Sequence, residues 1–153
     1  MKKVLLFMLM ALPFVFTSCS DDDDDDFTSA DIVGTWTFSK CEASEVTTSD
    51  KVATDAIIED VKDYVDDDVL TFTSDGKFKV NSKEEGTYTI NGNKLILTAD
   101  GDKQENTISI SGNRLIVYQD ETEYYQDEIE YLIDDADDVK VTKVITAYHY
   151  SKQ

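Results

Sequence analysis

The fold class is decided by the stretch Thr89-Ile90-Asn91-Gly92-Asn93-Lys94-Leu95-Ile96-Leu97. Its central Asn-Gly supplies the positive-φ positions that a two-residue hairpin turn requires, and the flanking residues are typical of strands. A close copy, Ser109-Ile110-Ser111-Gly112-Asn113-Arg114-Leu115-Ile116-Val117, follows at a spacing of 20 residues. One such repeat is too few for a solenoid or a propeller. The pair therefore predicts two equivalent hairpins in an antiparallel meander.

The rest of the chain after residue 68 follows the same pattern of short strands and turns. Further turn signals lie at Ser74-Asp75-Gly76 and Asp100-Gly101. Between the turns, apolar residues alternate with polar ones, which is typical of strands with one buried face. The apolar pairs on a shared face are Leu70 and Phe72, Phe78 and Val80, Tyr88 and Ile90, and Ile108 and Ile110. The sequence thus predicts an all-β domain built from short strands.

One helix is predicted within this β pattern. Thr48, Ser49 or Asp50 can cap it, and it runs to about Asp66. The apolar stripe expected on its buried face comprises Val52, Ala56, Ile57, Val61, Tyr64 and Val65. Two roles fit this helix, which either packs against the sheet as a structural element or acts as a lid over its mouth.

The segment from Tyr124 to Asp138 has two interpretations. Ile129, Tyr131 and Ile133 alternate as in a strand, whereas Tyr125, Ile129 and Leu132 have helical spacing. The sequence leaves strand, helix and disorder open here. After it, Val139 to Tyr150 is rich in β-branched and aromatic residues and predicts a long closing strand.

The N-terminal segment is predicted to be a targeting sequence. Residues 1–18 combine Lys2 and Lys3 with a short apolar run and small residues before Cys19. This pattern resembles a bacterial lipobox, which implies that Cys19 is the lipid attachment site. The alternative is ordinary cleavage that leaves an unmodified cysteine. The apolar run is too short to cross a bilayer as a helix.

A run of six aspartates, Asp21 to Asp26, follows Ser20. Adjacent like charges repel each other and favour an extended tether. The same run resembles the surface-export signal of certain Gram-negative outer-membrane lipoproteins, with Ser20, Asp21, Asp22, Asp23 and Asp24 as the signal. Residues 1–18 are thus expected to be a lipoprotein signal peptide, 19–30 the acylated cysteine with an acidic tether, and 31–153 the barrel domain. The expected location is the outer membrane, lipid-anchored and exposed at the cell surface.

Composition restricts the partners and the chemistry. The formal net charge is −19, and removal of residues 1–18 deletes two lysines and makes it −21. A chain this acidic is repelled by phosphate backbones, so nucleic acid is not an expected partner. His149 is the single histidine, which excludes the usual zinc sites, and Cys41 is expected to be a small buried residue. We therefore predict no enzyme, no cofactor and no metal site.

Five short motifs resemble, in order, the lipocalin-like domains of small bacterial lipoproteins. They are Gly34-Thr35-Trp36, Leu70-Thr71-Phe72, Asp75-Gly76-Lys77-Phe78, Gly86-Thr87-Tyr88 and Gly92-Asn93-Lys94-Leu95. The resemblance implies an up-and-down antiparallel β-barrel of about eight strands, in which Gly34 and Trp36 form the barrel-closing signature. In the family such a tryptophan often packs under a basic residue of the last strand. Here the last strand offers Lys143, His149 and Lys152, and no arginine.

Two functions fit such a barrel. In the first, it binds a small, partly apolar molecule, with Phe72, Phe78 and Tyr88 as candidate ligand-lining residues. In the second, it has a solid core and is an interaction or accessory module of a surface assembly, with a protein or a glycan as its partner. The second function predicts an exposed apolar patch around Tyr124, Tyr125, Tyr148 and Tyr150.

Overall fold

The computed structural model describes residues 27–134 and 136–153. Eight strands run in chain order around one barrel, and each pairs with its sequence neighbours. They are β1 (Gly34–Thr48), β2 (Val69–Phe72), β3 (Lys77–Val80), β4 (Lys83–Asn91), β5 (Lys94–Ala99), β6 (Asp102–Ser111), β7 (Arg114–Asp120) and β8 (Val141–Lys152). Every pairing is antiparallel, and β8 pairs with β1 to close the barrel. The predicted up-and-down antiparallel barrel of about eight strands is confirmed.

The two repeated hairpins occupy equivalent places in the barrel. Asn91 pairs with Lys94 and Ser111 pairs with Arg114, so each turn has two central residues. Gly92 and Gly112 have φ values of 57° and 58°. These are the left-handed conformations that glycine adopts without steric cost.

The closing pair, β1 and β8, is the longest ladder and the most irregular. Its register shifts between Phe38 and Lys40 and between Ala43 and Glu45, where β1 carries one extra residue. A third shift places Thr47 opposite Lys143 but Thr48 opposite Val141. Such bulges bend a strand and increase its twist, which lets one long strand follow the barrel wall.

The predicted helix is present as α2 (Lys51–Asp63). Asp50 is its N-cap, and its Oδ1 accepts a hydrogen bond of 3.0 Å from the backbone nitrogen of Ala53. The buried stripe is Ala53, Ile57 and Val61. The expected stripe was wrong at its ends, because Val52 and Val65 are 63% and 85% exposed. The helix ends at Asp63, so helical spacing does not apply to Val65.

The ambiguous segment forms α3 (Thr122–Leu132), which connects β7 to β8. Tyr125 and Ile129 face the core, whereas Tyr131 is 82% exposed. The helical interpretation is therefore correct for this segment, and Ile133 lies just beyond the end of the helix.

Both helices, α2 and α3, join the barrel at the end where β7 ends and β8 begins, since Thr48 pairs with Val141 just before α2. We call this the helix end.

The opposite end of the barrel carries a single helical turn, α1 (Ser29–Ile32), directly before β1. It spans the predicted boundary between the tether and the barrel domain. Ile32 is fully buried, and Thr28 N donates to Asp31 Oδ2 at 2.8 Å in the first turn.

Several predicted features lie outside the described residues: the signal peptide, Cys19, Ser20 and the aspartates Asp21 to Asp26. Asp135, in the segment after α3, also lies outside them. None of the helices that the structure describes is long and apolar enough to span a membrane.

Candidate functional site

Trp36 lies on the inner face of β1 at the end of the barrel near α1. Its ring is fully buried, and its Nε1 donates a hydrogen bond of 2.7 Å to the carbonyl oxygen of Ile32. Lys152 reaches over the ring from the last strand, with Nζ 5.0 Å from the ring centroid. Of the three basic candidates, Lys143 instead pairs with Asp120, and His149 lies beside Glu42. Because the Trp36 indole and the Lys152 stem fill this end, we call it the closed end.

Gly34 makes room for that arrangement. Its φ is 139°, a region that residues with side chains rarely adopt. A Cβ atom at this position would lie 2.6 Å from Cε of Lys152. The glycine two residues before the tryptophan therefore admits the lysine stem that covers the indole.

Phe72, Phe78 and Tyr88, the three candidate ligand-lining residues, are brought together on neighbouring strands. All face the interior, with exposures of 2%, 3% and 4%. The Phe72 and Tyr88 rings meet edge to face at a centroid separation of 5.1 Å. Tyr88 Oη donates to the carbonyl oxygen of Thr73 at 2.9 Å, and burial raises the pKa of this phenol. Such low exposure means that other side chains pack against all three, so contact with a ligand stays a prediction.

A second aromatic cluster fills the barrel along β1 and β8. Phe38 contacts Tyr64 and Tyr150 edge to face at 5.7 and 5.9 Å, and Tyr64 contacts Tyr148 at 5.7 Å. Burial is the main cause that raises the pKa of all three phenols. The exposed patch expected around four tyrosines is wrong for three of them. Tyr148 and Tyr150 point inward from β8 and Tyr125 lies on the buried face of α3, so only Tyr124 of the four is exposed.

Toward the helix end, the inner wall changes from apolar to polar. We call the following five inward-facing residues the polar layer: Gln104, Asn106, Gln119, Glu121 and Thr146. Leu95 lies opposite Asn106, Leu97 opposite Gln104, and Gln119 opposite Thr146. The register that pairs Thr107 with Tyr118 brings Asn106 and Gln119 side by side one residue further on. Four of the five residues thus lie on the adjacent strands β6, β7 and β8, and Glu121 directly follows the end of β7.

Each carboxylate oxygen of Glu121 accepts a hydrogen bond from β8. Thr146 Oγ1 donates to Oε2 at 2.6 Å, and Tyr148 Oη donates to Oε1. Burial and the Glu121 carboxylate together raise the pKa of Tyr148. The junction that holds Glu121 is itself fixed, because Asp120 Oδ1 accepts from Thr122 N at 3.1 Å and Asp120 Oδ2 binds Lys143 Nζ at 2.5 Å.

Gln104 and Asn106 contact each other but are not saturated. Gln104 Nε2 donates to Asn106 Oδ1 over 3.4 Å, a long hydrogen bond. Gln104 Oε1 and Asn106 Nδ2 are both buried and have no hydrogen-bond partner among the described residues. Asn106 as a whole is only 4% exposed, whereas Gln104, three residues after Gly101, is partly exposed. The polar layer therefore reaches the barrel rim at Gln104.

Sequence reasoning missed the polar layer, although part of it was readable. Ile108 and Ile110 were recognised as one face of a strand, and extending their alternation backward gives Asn106 and Gln104. Glu121 had no such signal among the 33 acidic residues, because its role depends on contacts with a distant strand.

Cys41 and His149 lie on opposite faces of the barrel wall. Cys41 is buried on the inner face opposite Tyr148, whereas His149 lies beside Glu42 on the outer face.

Two acidic features lie outside the barrel interior. Asp66, Asp67 and Asp68 place carboxylate oxygens within 4.8 Å of one another. Burial is the main cause that raises the pKa of Asp68, and Asn81 Nδ2 donates to it at 2.6 Å. Separately, an open cleft of about 410 Å³ lies between the start of α2 and the segment after α3, with Asp50, Asp134 and Asp138 in its lining.

Together, a closed eight-stranded meander, a buried tryptophan beneath a lysine at one end and a helix-bearing opposite end define a lipocalin-like barrel. The family model described as a lipocalin-like domain matches residues 32–117, which is more than half of the chain. The chain belongs to this lipocalin-like domain family. No curated protein matches it.

Proposed function

We propose that this chain is a lipid-anchored protein of the outer membrane, exposed at the cell surface, whose barrel binds a small, partly apolar molecule. Its role is binding rather than catalysis. The observation that carries the proposal is the polar layer, above all the buried amide of Asn106 with its unpartnered nitrogen. Leaving a buried polar group without a partner costs about 1–3 kcal/mol, a cost that an apolar residue would avoid. A ligand that supplies the missing partner accounts for a polar group at this position.

The place where the described residues begin supports the anchored arrangement. The chain enters the fold through α1, beside the closed end, where Trp36 binds the carbonyl of Ile32. The proposed anchor at Cys19 is therefore attached at the end opposite the polar layer. The aspartates of the sequence between Cys19 and α1 also repel anionic lipid head groups, which favours a barrel held away from the bilayer surface.

The second candidate function is a solid barrel that acts as an interaction module. The observation in its favour is the dense aromatic core formed by Phe72, Phe78 and Tyr88 at the closed end and by Phe38, Tyr64, Tyr148 and Tyr150 beside it. These rings fill much of the interior. The two functions differ in what they require of the polar layer, which is a recognition site in the first and an incidental defect in the second.

The ligand test compares native and stripped protein. The lipoprotein is isolated from its source membrane in mild detergent, and half is unfolded, extracted with organic solvent and refolded. We expect the untreated protein to unfold at a higher temperature and the extract to restore that difference. A ligand present at 100 times its Kd adds about 2.7 kcal/mol to the stability of the folded state. Identical unfolding of both samples, with and without the extract, would support the solid barrel.

The anchor test uses the two cysteines of the sequence as a matched pair. In the source cells, Cys19→Ser is expected to abolish incorporation of a labelled fatty acid, whereas Cys41→Ser retains it. Replacement of Asp21 to Asp24 by alanines is expected to leave the protein in the membrane but protect it from protease added to intact cells. Acylation of the Cys19→Ser protein, or unchanged protease sensitivity without the aspartates, would refute the corresponding half of the proposal.

A further inference from the structure

We propose that the Gln104–Asn106 amide pair recognises a neutral ligand group that offers one hydrogen-bond acceptor and one donor, of which a primary carboxamide is the simplest form. This inference rests on the proposed function and specifies the ligand chemistry of the same site. It is carried by the two unpartnered amide atoms, by the carboxylate of Glu121 on the same wall and by the leucines opposite the pair.

The pair has one unpartnered nitrogen and one unpartnered oxygen whichever way the two amides are oriented. As described, Gln104 Nε2 donates to Asn106 Oδ1, which leaves the oxygen of Gln104 and the nitrogen of Asn106 without partners. If both amides are rotated by 180°, Asn106 donates to Gln104, and the unpartnered atoms become one nitrogen and one oxygen again. In either arrangement the pair presents one donor site and one acceptor site. A ligand group with one acceptor and one donor satisfies both.

Charge on the polar layer excludes an anionic group. Glu121 lies on the same inner wall and is bound to Thr146, two strands away from Asn106. Adjacent strands are about 4.8 Å apart, so the carboxylate stands roughly 10 Å from the amide pair, in a region of low dielectric. An anion bound there would be repelled, and a carboxylate would have no hydrogen to donate to the unpartnered oxygen of Gln104. An ammonium group has donors but no acceptor, so it would leave the unpartnered nitrogen of Asn106 unsatisfied.

The residues opposite the pair indicate the other half of the ligand. On the adjacent strand, Leu95 is the register partner of Asn106 and Leu97 that of Gln104, and both leucines are buried on the same inner wall. An aliphatic chain attached to the polar group would lie against these side chains. The recognised class is therefore a neutral carboxamide-type head with a short apolar tail.

The test uses three water-soluble probes with the same five-carbon chain: pentanamide, pentanoate and pentylamine. Each is titrated into the stripped, refolded mature lipoprotein in detergent at pH 7, and affinity is obtained from the rise in the unfolding midpoint. We expect pentanamide to bind at least about tenfold more tightly than either charged probe, which corresponds to one net hydrogen bond. Equal or tighter binding of pentanoate or pentylamine would overturn the inference.

Asn106→Leu is the decisive variant, and Glu105→Leu is its control, because it places the same side chain on the outer face of β6. The Asn106 variant is expected to lose about tenfold or more in pentanamide affinity and, without probe, to unfold at a higher temperature than the wild type. The Glu105 variant is expected to bind pentanamide normally. A lower unfolding midpoint for Asn106→Leu would make the amide pair a structural element and overturn the inference. If that variant does not fold, Gln104→Leu gives the same comparison at the rim.

The outcomes separate this inference from the proposed function. If the organic extract restores stability but pentanamide shows no preference, the barrel binds a ligand of other chemistry and only the present inference fails. If neither the extract nor any probe binds, both fail together.

Discussion

The ammonium group of Lys152 lies 5.0 Å from the centre of the Trp36 ring, so the last strand of the barrel covers the indole of the first. Lys152 and Trp36 are also register partners across the β1–β8 seam. The contact therefore couples barrel closure to burial of the tryptophan. Gly34 contributes by leaving space for the lysine stem.

The Lys152–Trp36 contact is expected to stabilise the barrel. Replacing Lys152 by alanine should lower the free energy of unfolding by about 1 kcal/mol, since a cation over an indole contributes about 0.5–2 kcal/mol. Lys152→Arg should retain most of the stability, because a guanidinium group also stacks on aromatic rings. Urea denaturation followed by Trp36 fluorescence measures both. Lys103→Ala, at an exposed position on β6, is the control, and an equal loss there would argue against a specific contact.

Gly86 is expected to tolerate no side chain. A Cβ atom at this position would lie 2.0 Å from the carbonyl oxygen of Thr98, which belongs to the backbone and is not free to move aside. Gly86→Ala should therefore destabilise the barrel by about 3 kcal/mol. Gly112→Ala is the matched control, because it meets no atom within 4 Å and its φ of 58° costs only about 1–2 kcal/mol. Similar losses for the two variants in denaturant titrations would contradict this explanation of the Gly-Thr-Tyr motif.

The Tyr148 hydroxyl is expected to contribute through its hydrogen bond to Glu121. Tyr148→Phe keeps the buried ring and removes the donor, and a hydrogen bond to a charged group contributes about 1.5–3 kcal/mol. We predict a loss of about 2 kcal/mol in the free energy of unfolding. Tyr118→Phe, on the outer face of β7, should change it by less than about 0.5 kcal/mol. Indistinguishable effects of the two substitutions would show that Glu121 is not held as described.

Stability is expected to decline in mild acid because of His149. Burial lowers the pKa of its imidazole from the usual 6.5, and nearby Glu42 offsets this only in part. Glu42 Oε2 lies 3.0 Å from Nε2, and its negative charge favours the protonated imidazole. As the pH falls, the His149 imidazole therefore binds a proton near pH 6.5 in the unfolded chain but only at a lower pH in the folded protein. The contribution of His149 to the free energy of unfolding is fully present above pH 6.5 and is lost as the pH falls through the lowered pKa of the folded protein.

Because His149 is the single histidine, one variant isolates its contribution. The free energy of unfolding of His149→Gln should change less than that of the wild type between pH 7.5 and pH 5.5, which are about one pH unit either side of the histidine reference value. Urea denaturation at a series of pH values measures the difference. Parallel pH profiles for the two proteins would contradict the lowered pKa.

The β-hairpins were predictable because their turn chemistry is local. Gly92 and Gly112 adopt the left-handed conformation that their Asn-Gly and Ser-Gly turns suggested. The β3–β4 turn lacked such a signal, because Asn81 and Ser82 adopt positive φ without a glycine. Local propensity also could not decide between strand and helix at α3. That choice depends on Tyr125 and Ile129 finding a buried surface supplied by other elements.

The site was less predictable than the fold, for a physical reason. Alternation shows which side chains share a face, and it placed Phe72, Phe78 and Tyr88 correctly inside the barrel. It does not show which inward residues pack against one another and which keep unpartnered polar atoms. That Asn106 and Gln104 keep unpartnered polar atoms is visible only in three dimensions.

The most direct measurement is a native mass spectrum of the mature lipoprotein isolated from its own membrane, recorded beside a spectrum under denaturing conditions. If the barrel binds a small molecule, the folded protein will carry a reproducible added mass that disappears on denaturation, beyond that of the acyl anchor. Asn106→Leu, prepared in the same way, should lack most of this mass, whereas Glu105→Leu should retain it. Identical masses for the wild type under native and denaturing conditions, in independent preparations, would contradict a ligand-binding barrel.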